Sequence, residues 1–531
     1  MDKKTVFITG ASGSMGSEVL KQIMATKKFR CRILLRDKPT NRKLAAKLLK
    51  NADEGALEVV FGDLGNYDDC VKCVSDADYV LHMAAIIPPA SDHNPKAAEK
   101  ANFFGTKNLV DAIKASPRAD EIKFVETGTV AEYGNRDYKH PWGRVGDPLV
   151  PSCYDFYAIT KLRGERYVVE SGLKNWVSLR QSGILYDNIM NNNMADGLMF
   201  HTCYNTPIEW ATARDSGVML RNLVVFDSEG TLDKSFWRKC YNIGNGAGTR
   251  VTGYDTLDEG FKMMGCEAKD IFRPHWNAMR NFHCMWYYDS DKLEEYLHFR
   301  SETAEQFWKN LGKKCWYFKF GKPFKGLIRK LAIERLFKSS NAPMYWINHN
   351  MEGRVNAFFG SYDEWKAIPR DWDKFPLLCK GQIPDGKGGI KKIDYEDLKD
   401  ITKVKEKGLL LSHGYDEDKP DEELGYEDFQ QAAEFRGGKC LTKDAVKGDL
   451  YTKIEWECHD GHKFMASPYA VLKAGFWCPE CCQPTPWNFD ALSKKVPFFA
   501  QIWYDTHSPE ENNFYDADCY KDILEADAKN G

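Results

Sequence analysis

Short apolar runs alternate with helical patterns along the first half of the chain. TVFITG at residues 5–10 is a continuous apolar run closed by glycine, the pattern of a buried strand. The segment after it, SMGSEVLKQIMA, is helix-like. CRILL (31–35), LEVVFGDL (57–64), ADYVLHMAA (77–85) and FVETGTVAEYG (124–134) repeat the strand pattern, with helical segments between them. Strands alternating with helices imply a parallel, doubly wound α/β sheet that binds its ligands at the carboxyl ends of its strands.

The first strand-to-helix turn carries Gly10, Gly13 and Gly16, spaced G-x-x-G-x-x-G, with Ser12 and Met15 between them. A glycine turn there lets the backbone approach a pyrophosphate and aims the helix N-terminus at it, so this is a candidate dinucleotide cradle. The second strand ends at Arg36, twenty residues after Gly16, where an acidic residue would contact the ribose of NAD. Arginine there, followed by Lys38 and Arg42, suits the 2′-phosphate of NADP; Asp37 next door keeps NAD open. Farther on, YDFYAITK (154–161) sets a phenol four residues before an ammonium, on one face of a helix. A fixed cation beside a phenol favours the phenolate, making Tyr157 a candidate acid/base and Lys161 its partner. Alone, such a pair is usually packing plus a solvated charge.

Together these pieces resemble the extended short-chain dehydrogenase/reductases, the NAD-dependent epimerase/dehydratase superfamily. The resemblance rests on TGASGSMG, the GDL at 62–64, HMAA, the N-x-x-G-T at 102–106, the threonines before EYG, the Y-x-x-x-K, LRQSGILY (179–186) and YNIGNG (241–246), in family order over residues 1 to about 300. It implies a Rossmann-type sheet with a small substrate-binding subdomain. It also implies Thr129 on the substrate oxygen, Tyr157 as proton donor or acceptor, and Lys161 on the nicotinamide ribose, lowering the tyrosine pKa. Asp63 and Leu64 would border the adenine, Ala84 and Ala85 would line the cofactor's path, and Asn102 would support the lysine through water. LRQ departs from the commoner LRP, which touches the substrate loop that follows.

That loop, residues 181–213, contains no lysine or arginine. A diphosphate usually calls for such cations. The methionines, aromatics and asparagines here suit a bulky, largely uncharged substrate, although Met190, Met194, Met199 and Phe200 read equally as core. Arg144, Arg273 and Arg280 stand elsewhere and could reach a phosphate.

Past residue 305 the family pattern ends. Residues 313–338 hold nine Lys or Arg and one Glu, a local charge of +8, with Leu327, Ile328, Leu331 and Leu336 at helical intervals. That suits peripheral contact with an anionic membrane surface; the plainer reading is a packed helix with a solvated basic face. Residues 416–428 are acidic and read as a solvated linker. The division expected is 1–305 for the NAD(P)-binding catalytic domain, 306–425 for an extension, and 426–531 for a zinc module. The 531 residues carry a net charge of −3, which gives no overall pull toward nucleic acid. Without a signal-peptide pattern or a long apolar run, a cytoplasmic protein is expected, with a homo-oligomer open.

Most of the sixteen cysteines are scattered, but Cys458, His462, Cys478 and Cys481 form C-x3-H, fifteen intervening residues, then C-x2-C. Such spacing can close a tetrahedral structural zinc site resembling a treble-clef or zinc-ribbon module. Cys440 is the alternative to His462, and a redox C-x-x-C is the competing reading. The function expected is oxidation or reduction at a secondary alcohol or ketone of a lipophilic, steroid-like substrate. A nucleotide-sugar epimerase or dehydratase is the alternative, and a non-catalytic dinucleotide sensor the third reading.

Overall fold

The computed structural model describes residues 3–482, 484 and 486–530. Seven parallel strands form the main sheet: β1 (Thr5–Thr9), β2 (Arg30–Leu35), β3 (Leu57–Phe61), β4 (Tyr79–His82), β5 (Lys123–Thr129), β6 (Trp176–Gln181) and β7 (Lys239–Ile243). Their spatial order is β7-β6-β5-β4-β1-β2-β3. The chain therefore reverses its winding between β1 and β4, where an open α/β sheet leaves a crevice at its carboxyl edge. All five residues of β1 and all four of β4 are buried, as two-sided coverage requires.

Helix α1 (Ser14–Ala25) packs with α4 (Ala213–Ser228) on one face of the sheet, while α2 (Gly105–Ala115) and α3 (Phe156–Val169) lie together. The Asp155 side chain caps α3, accepting from the Ala158 amide at 2.9 Å. Helix α3 is buried nearly all round: Lys161 and Glu165 pair with Glu126 and Arg180 of the sheet, and the C-terminal chain packs on other positions. Phe156 packs edge-on against Trp487 and Tyr520, and Arg166 donates to the Trp477 carbonyl at 2.8 Å.

In space, the three segments read from the sequence share one apolar cluster that runs from Phe7 to Ala526. The antiparallel strands β8 (Lys439–Cys440), β9 (Ile454–Glu457) and β10 (Lys463–Ala466) carry the cysteine region. Most acidic side chains of residues 416–428 are exposed, as expected, but ion pairs also tie the stretch to its surroundings. Glu417 accepts from Arg144 at 2.8 Å and pairs with His413, while Asp428 accepts from Lys419 at 2.7 Å within the helix Tyr426–Phe435. Arg144 of the first segment thus finds its carboxylate partner in this stretch. No helix among the described residues is long and apolar enough to cross a membrane.

Candidate active site

The glycine turn is built for close approach. Gly10 sits at φ +75°, and a Cβ there would meet the Ala84 amide nitrogen at 2.8 Å; one on Gly16 would lie 2.2 Å from the Gly10 carbonyl. On Gly13 a Cβ would touch nothing closer than that carbonyl at 3.3 Å, so its outer side is open. Helix α1 begins without a side-chain cap or an acid in its first turn, leaving its amides to an anion. Met15 is buried beneath the turn and Ser12 is exposed. These features fit a pyrophosphate.

A residue the sequence reading passed over fixes this turn against β4. His82 Nδ1 is 2.8 Å from Thr9 Oγ1, and its Nε2 is 2.9 Å from Thr106 Oγ1. Thr9 Oγ1 also accepts from the Met83 and Ala84 amides at 3.1 Å each. Burial holds His82 neutral, with its pKa down at about 3. With both lone pairs of Thr9 occupied, its hydroxyl donates to Nδ1 and the imidazole donates to Thr106. Ala84 and Ala85 thus follow a locked strand end.

At the adenine side, Asp37 is engaged by Arg42 at 2.6 and 2.7 Å, whereas the exposed Arg36 makes no ion pair among the described residues. Asp63 accepts from the Gly65 amide at 2.8 Å, and the Leu64 carbonyl accepts from Asn108 at 2.8 Å. Asn102 is fully buried and braces the loop after β4. It accepts from the Ile86 amide at 2.7 Å and donates to the Ile86 carbonyl and to Thr160 at 3.0 and 2.9 Å. It reaches the helix of Lys161 through Thr160.

Thr129 at the end of β5 faces Tyr157, and Lys161 lies one turn along α3. The electrostatics correct the expectation for Tyr157. Burial pushes its phenol above the ordinary value, and Lys161 and Thr129 reduce that rise without reversing it. Lys161 Nζ instead pairs with Glu126 on β5 at 3.1 Å, both groups buried. Burial opposes the ammonium, but Glu126 and Tyr157 hold its pKa above the usual range. Glu126 is itself pushed up to about 7 by desolvation, which outweighs Lys161. Glu132, the acid nearest Thr129 in sequence, is buried with its pKa raised, and its nearest cation is Arg180 at 3.8 Å. Arg180 is committed to Glu165 at 2.5 Å and to the Ala474 carbonyl at 2.8 Å.

Tyr157 opens onto a cavity of about 730 Å³. Gly183, Met199 and His201 line it from the expected loop; Met190 and Phe200 are core instead. Asn341, Arg354 and Phe358 close it from the extension and Tyr520 from the C-terminal segment, and no motif had marked them. Arg354 is held bidentately by Asp522 at 2.7 and 2.8 Å and lies over the ring of Tyr154. None of Arg144, Arg273 and Arg280 lines the cavity: Arg144 engages Glu417, Arg280 engages Glu511, and Arg273 donates to local carbonyls. Tyr154, three residues before Tyr157, has φ +67°, a strained setting for an aromatic residue, and packs on Trp487, Tyr515 and Phe358.

Cys458, His462, Cys478 and Cys481 converge, with ligand atoms all within 4.8 Å of one another. His462 Nδ1 is 3.4 Å from Cys458 Sγ and 3.7 Å from Cys478 Sγ, and Cys481 Sγ is 3.6 Å from Cys458 Sγ. Metal–sulfur bonds of about 2.3 Å and metal–nitrogen bonds of about 2.0–2.1 Å at tetrahedral angles place such atoms about 3.5–3.8 Å apart, so the set fits zinc. Cys440 is outside this group, its thiol directed to the Thr442 carbonyl at 3.8 Å.

Residues 6–181 match the model of the NAD dependent epimerase/dehydratase family. An uncharacterized membrane protein of Methanocaldococcus jannaschii is 28% identical over 109 residues, 20% of this chain and 32% of that protein. A UDP-glucose 4-epimerase of Rickettsia bellii is 29% identical over 114 residues, again 20% and 32%. A UDP-N-acetylglucosamine 4,6-dehydratase (inverting) of Campylobacter jejuni is 27% identical over 112 residues, 21% and 33%. This chain thus spans about a third of the length of the curated relatives it matches. Among solved structures, the dTDP-glucose 4,6-dehydratase of Bacillus anthracis in complex with NAD aligns with a TM-score of 0.44 at 17% identity, covering 61% of this chain and 99% of that one.

Proposed function

We propose that this chain is an NAD(P)-dependent enzyme of the epimerase/dehydratase type, acting at a secondary-alcohol carbon with Tyr157 carrying the hydroxyl proton. The observation that carries this is the meeting of Thr129, Tyr157 and Lys161 at the sheet edge that also holds the open glycine cradle. Bound there, the dinucleotide supplies or accepts the hydride. Gly10, Gly13 and Gly16 hold its pyrophosphate, Asp63 and Leu64 border the adenine, and the unpaired Arg36 favours NADP over NAD. Thr129 orients the substrate oxygen. Lys161 opposes the rise in the Tyr157 pKa and so eases proton transfer.

The curated relatives' names support a sugar substrate whose hydride is returned in the same cycle, as in epimerisation of a nucleotide sugar. Dehydration is the weaker half, since Val130 and Ala131 follow Thr129 and only Glu132 is near. The cavity favours a second reading. Its arginine is already paired and its loop is free of lysine and arginine, which suits a lipophilic, steroid-like alcohol or ketone. Incubation with NADP and NAD beside UDP-sugars and hydroxysteroids separates the two: sugar interconversion without net cofactor reduction supports the first, and net reduction with a steroid the second. Tyr157→Phe should lose roughly 10²–10⁴-fold in kcat. Unchanged turnover in that variant would sink the mechanism, and cofactor binding with no turnover of any substrate would leave the sensor reading.

We also propose a structural zinc at Cys458, His462, Cys478 and Cys481, four protein donors with no open position. It would fix the segment whose Ala474 and Trp477 carbonyls receive Arg180 and Arg166. Purified protein should hold one equivalent of zinc, and chelation should lower the melting temperature and expose residues 439–482 to protease. A zinc-free protein that melts identically would refute the site.

A further inference from the structure

The stretch from Lys313 to Lys338 has no part in the chemistry above. It is not the single helix its leucine spacing suggests. After the helix Ala304–Lys314, it continues as successive short helical turns: Trp316–Phe324, Lys325–Ile328, Arg329–Ile333 and Glu334–Lys338. Ile333 and Leu336 are buried, and Phe318, Ile328 and Phe337 pack partly against the core, so the stretch has an inner side that holds it in place.

Its outer side is apolar as well. Trp316, Phe320, Phe324, Leu327 and Leu331 are 60%, 67%, 56%, 54% and 59% exposed. They recur every three or four residues across these turns, and the rings of Trp316 and Phe320 lie 5.9 Å apart. With Tyr317, residues 316–331 hold six of the sixteen exposed large hydrophobic side chains among the described residues. Exposed hydrophobics scattered singly are ordinary, but six within residues 316–331 mark a contact surface.

The flanking charge identifies the partner. Lys314, Lys325 and Arg329 are taken up by Asp187, Asp270 and Glu334. Lys313, Lys319, Lys322, Lys330 and Lys338 make no ion pair among the described residues. A second copy of the chain presenting the same face would set one +8 segment against another. Nucleic acid would engage the lysines and rings but would leave Leu327 and Leu331 in water. An anionic bilayer satisfies both chemistries, with acyl chains for the apolar side chains and lipid phosphates for the ammonium groups.

We propose that residues 313–338 dock this protein on an anionic lipid surface, with Trp316, Phe320, Phe324, Leu327 and Leu331 entering the headgroup–acyl boundary. The face adjoins the substrate cavity. Arg335 donates to the Met194 carbonyl at 3.3 Å, Ser339 donates to Asp196 at 3.3 Å, and Asn341 lines the cavity itself. The docking proposal stands whichever substrate that cavity accepts.

The test is cosedimentation of the full chain with phosphatidylcholine vesicles and with vesicles that also contain phosphatidylserine. Binding is expected to the anionic vesicles only. Phe320→Ser with Leu327→Ser should weaken it about tenfold or more, and Lys319→Glu with Lys322→Glu by a similar factor. All four residues are exposed, so melting temperatures should match wild type. Absence of binding to anionic vesicles would overturn the proposal, as would binding that the serine variants leave unchanged. Displacement from vesicles by an oligonucleotide would reassign the face to nucleic acid, and a dimer abolished by Phe320→Ser would reassign it to a second copy.

Discussion

The cofactor edge and the substrate cavity meet at Tyr157 but are assembled in opposite ways. The edge is local: Gly10, Gly13, Gly16 and the start of α1 lie within sixteen residues, and His82 and Ala84 join them across one strand pairing. The cavity draws on residues 87–93, 152–157, 183–202, 281–283, 341–358 and Tyr520. Geometry demanded by a fixed ligand can be encoded in a short motif, whereas a cavity shaped to one substrate is a product of the whole chain. Here the cavity wall comes largely from residues far downstream of the glycine turn.

The comparison can be broken first at the cradle. Gly10→Ala places a methyl 2.8 Å from the Ala84 nitrogen at a φ that alanine resists, so the strand end must shift. Dinucleotide affinity measured by fluorescence titration should fall by about tenfold or more, with a stability loss of roughly 1–3 kcal/mol. Unaltered affinity would show that the turn is not the phosphate site.

Where edge and cavity join, Glu126 titrates. Its folded pKa of about 7 lies above the ordinary 4.5, so the folded state holds this proton more tightly than the unfolded chain does. Its contribution therefore makes stability fall as pH rises from about 4.5 through about 7. Above that range it is ionised and tethers Lys161. Glu126→Gln should flatten the stability slope and remove an inflection near pH 7 from the kcat/KM profile. A profile identical to wild type would detach Glu126 from the catalytic lysine.

The smallest effect belongs to the cavity rim. His93 is raised to about 9, first by its hydrogen bond to Asp196, against partial burial and with help from Asp527. Its stabilisation is complete below about 6.5 and disappears as pH rises through about 9. His93→Gln should lower the melting temperature by about 1–3 °C at pH 6 and leave it unchanged above pH 9. An equal loss at both values would assign the effect to packing.

Strand alternation, the glycine turn and the Tyr157–Lys161 spacing were legible because each obeys a short-range geometric rule. The Cys458–Cys481 group was legible for the same reason. The Glu126 partner of Lys161 was not, since nothing in ETGT indicates that its glutamate is buried against a helix thirty-five residues on. Nor were Asn341 and Arg354, which become cavity residues through packing alone. In the acidic stretch, composition indicated the exposed carboxylates but not the partners that Arg144, His413 and Lys419 supply.

The left-handed setting of Tyr154 carries a consequence for biosynthesis. The groups that hold it, Arg354, Phe358, Trp487 and Tyr515, are all translated long after α3, the last of them sixteen residues from the end of this sequence. The loop that leads into α3 thus acquires its full set of restraints only after Tyr515 has been made. During synthesis the glycine turn is therefore complete well before this loop is held in place.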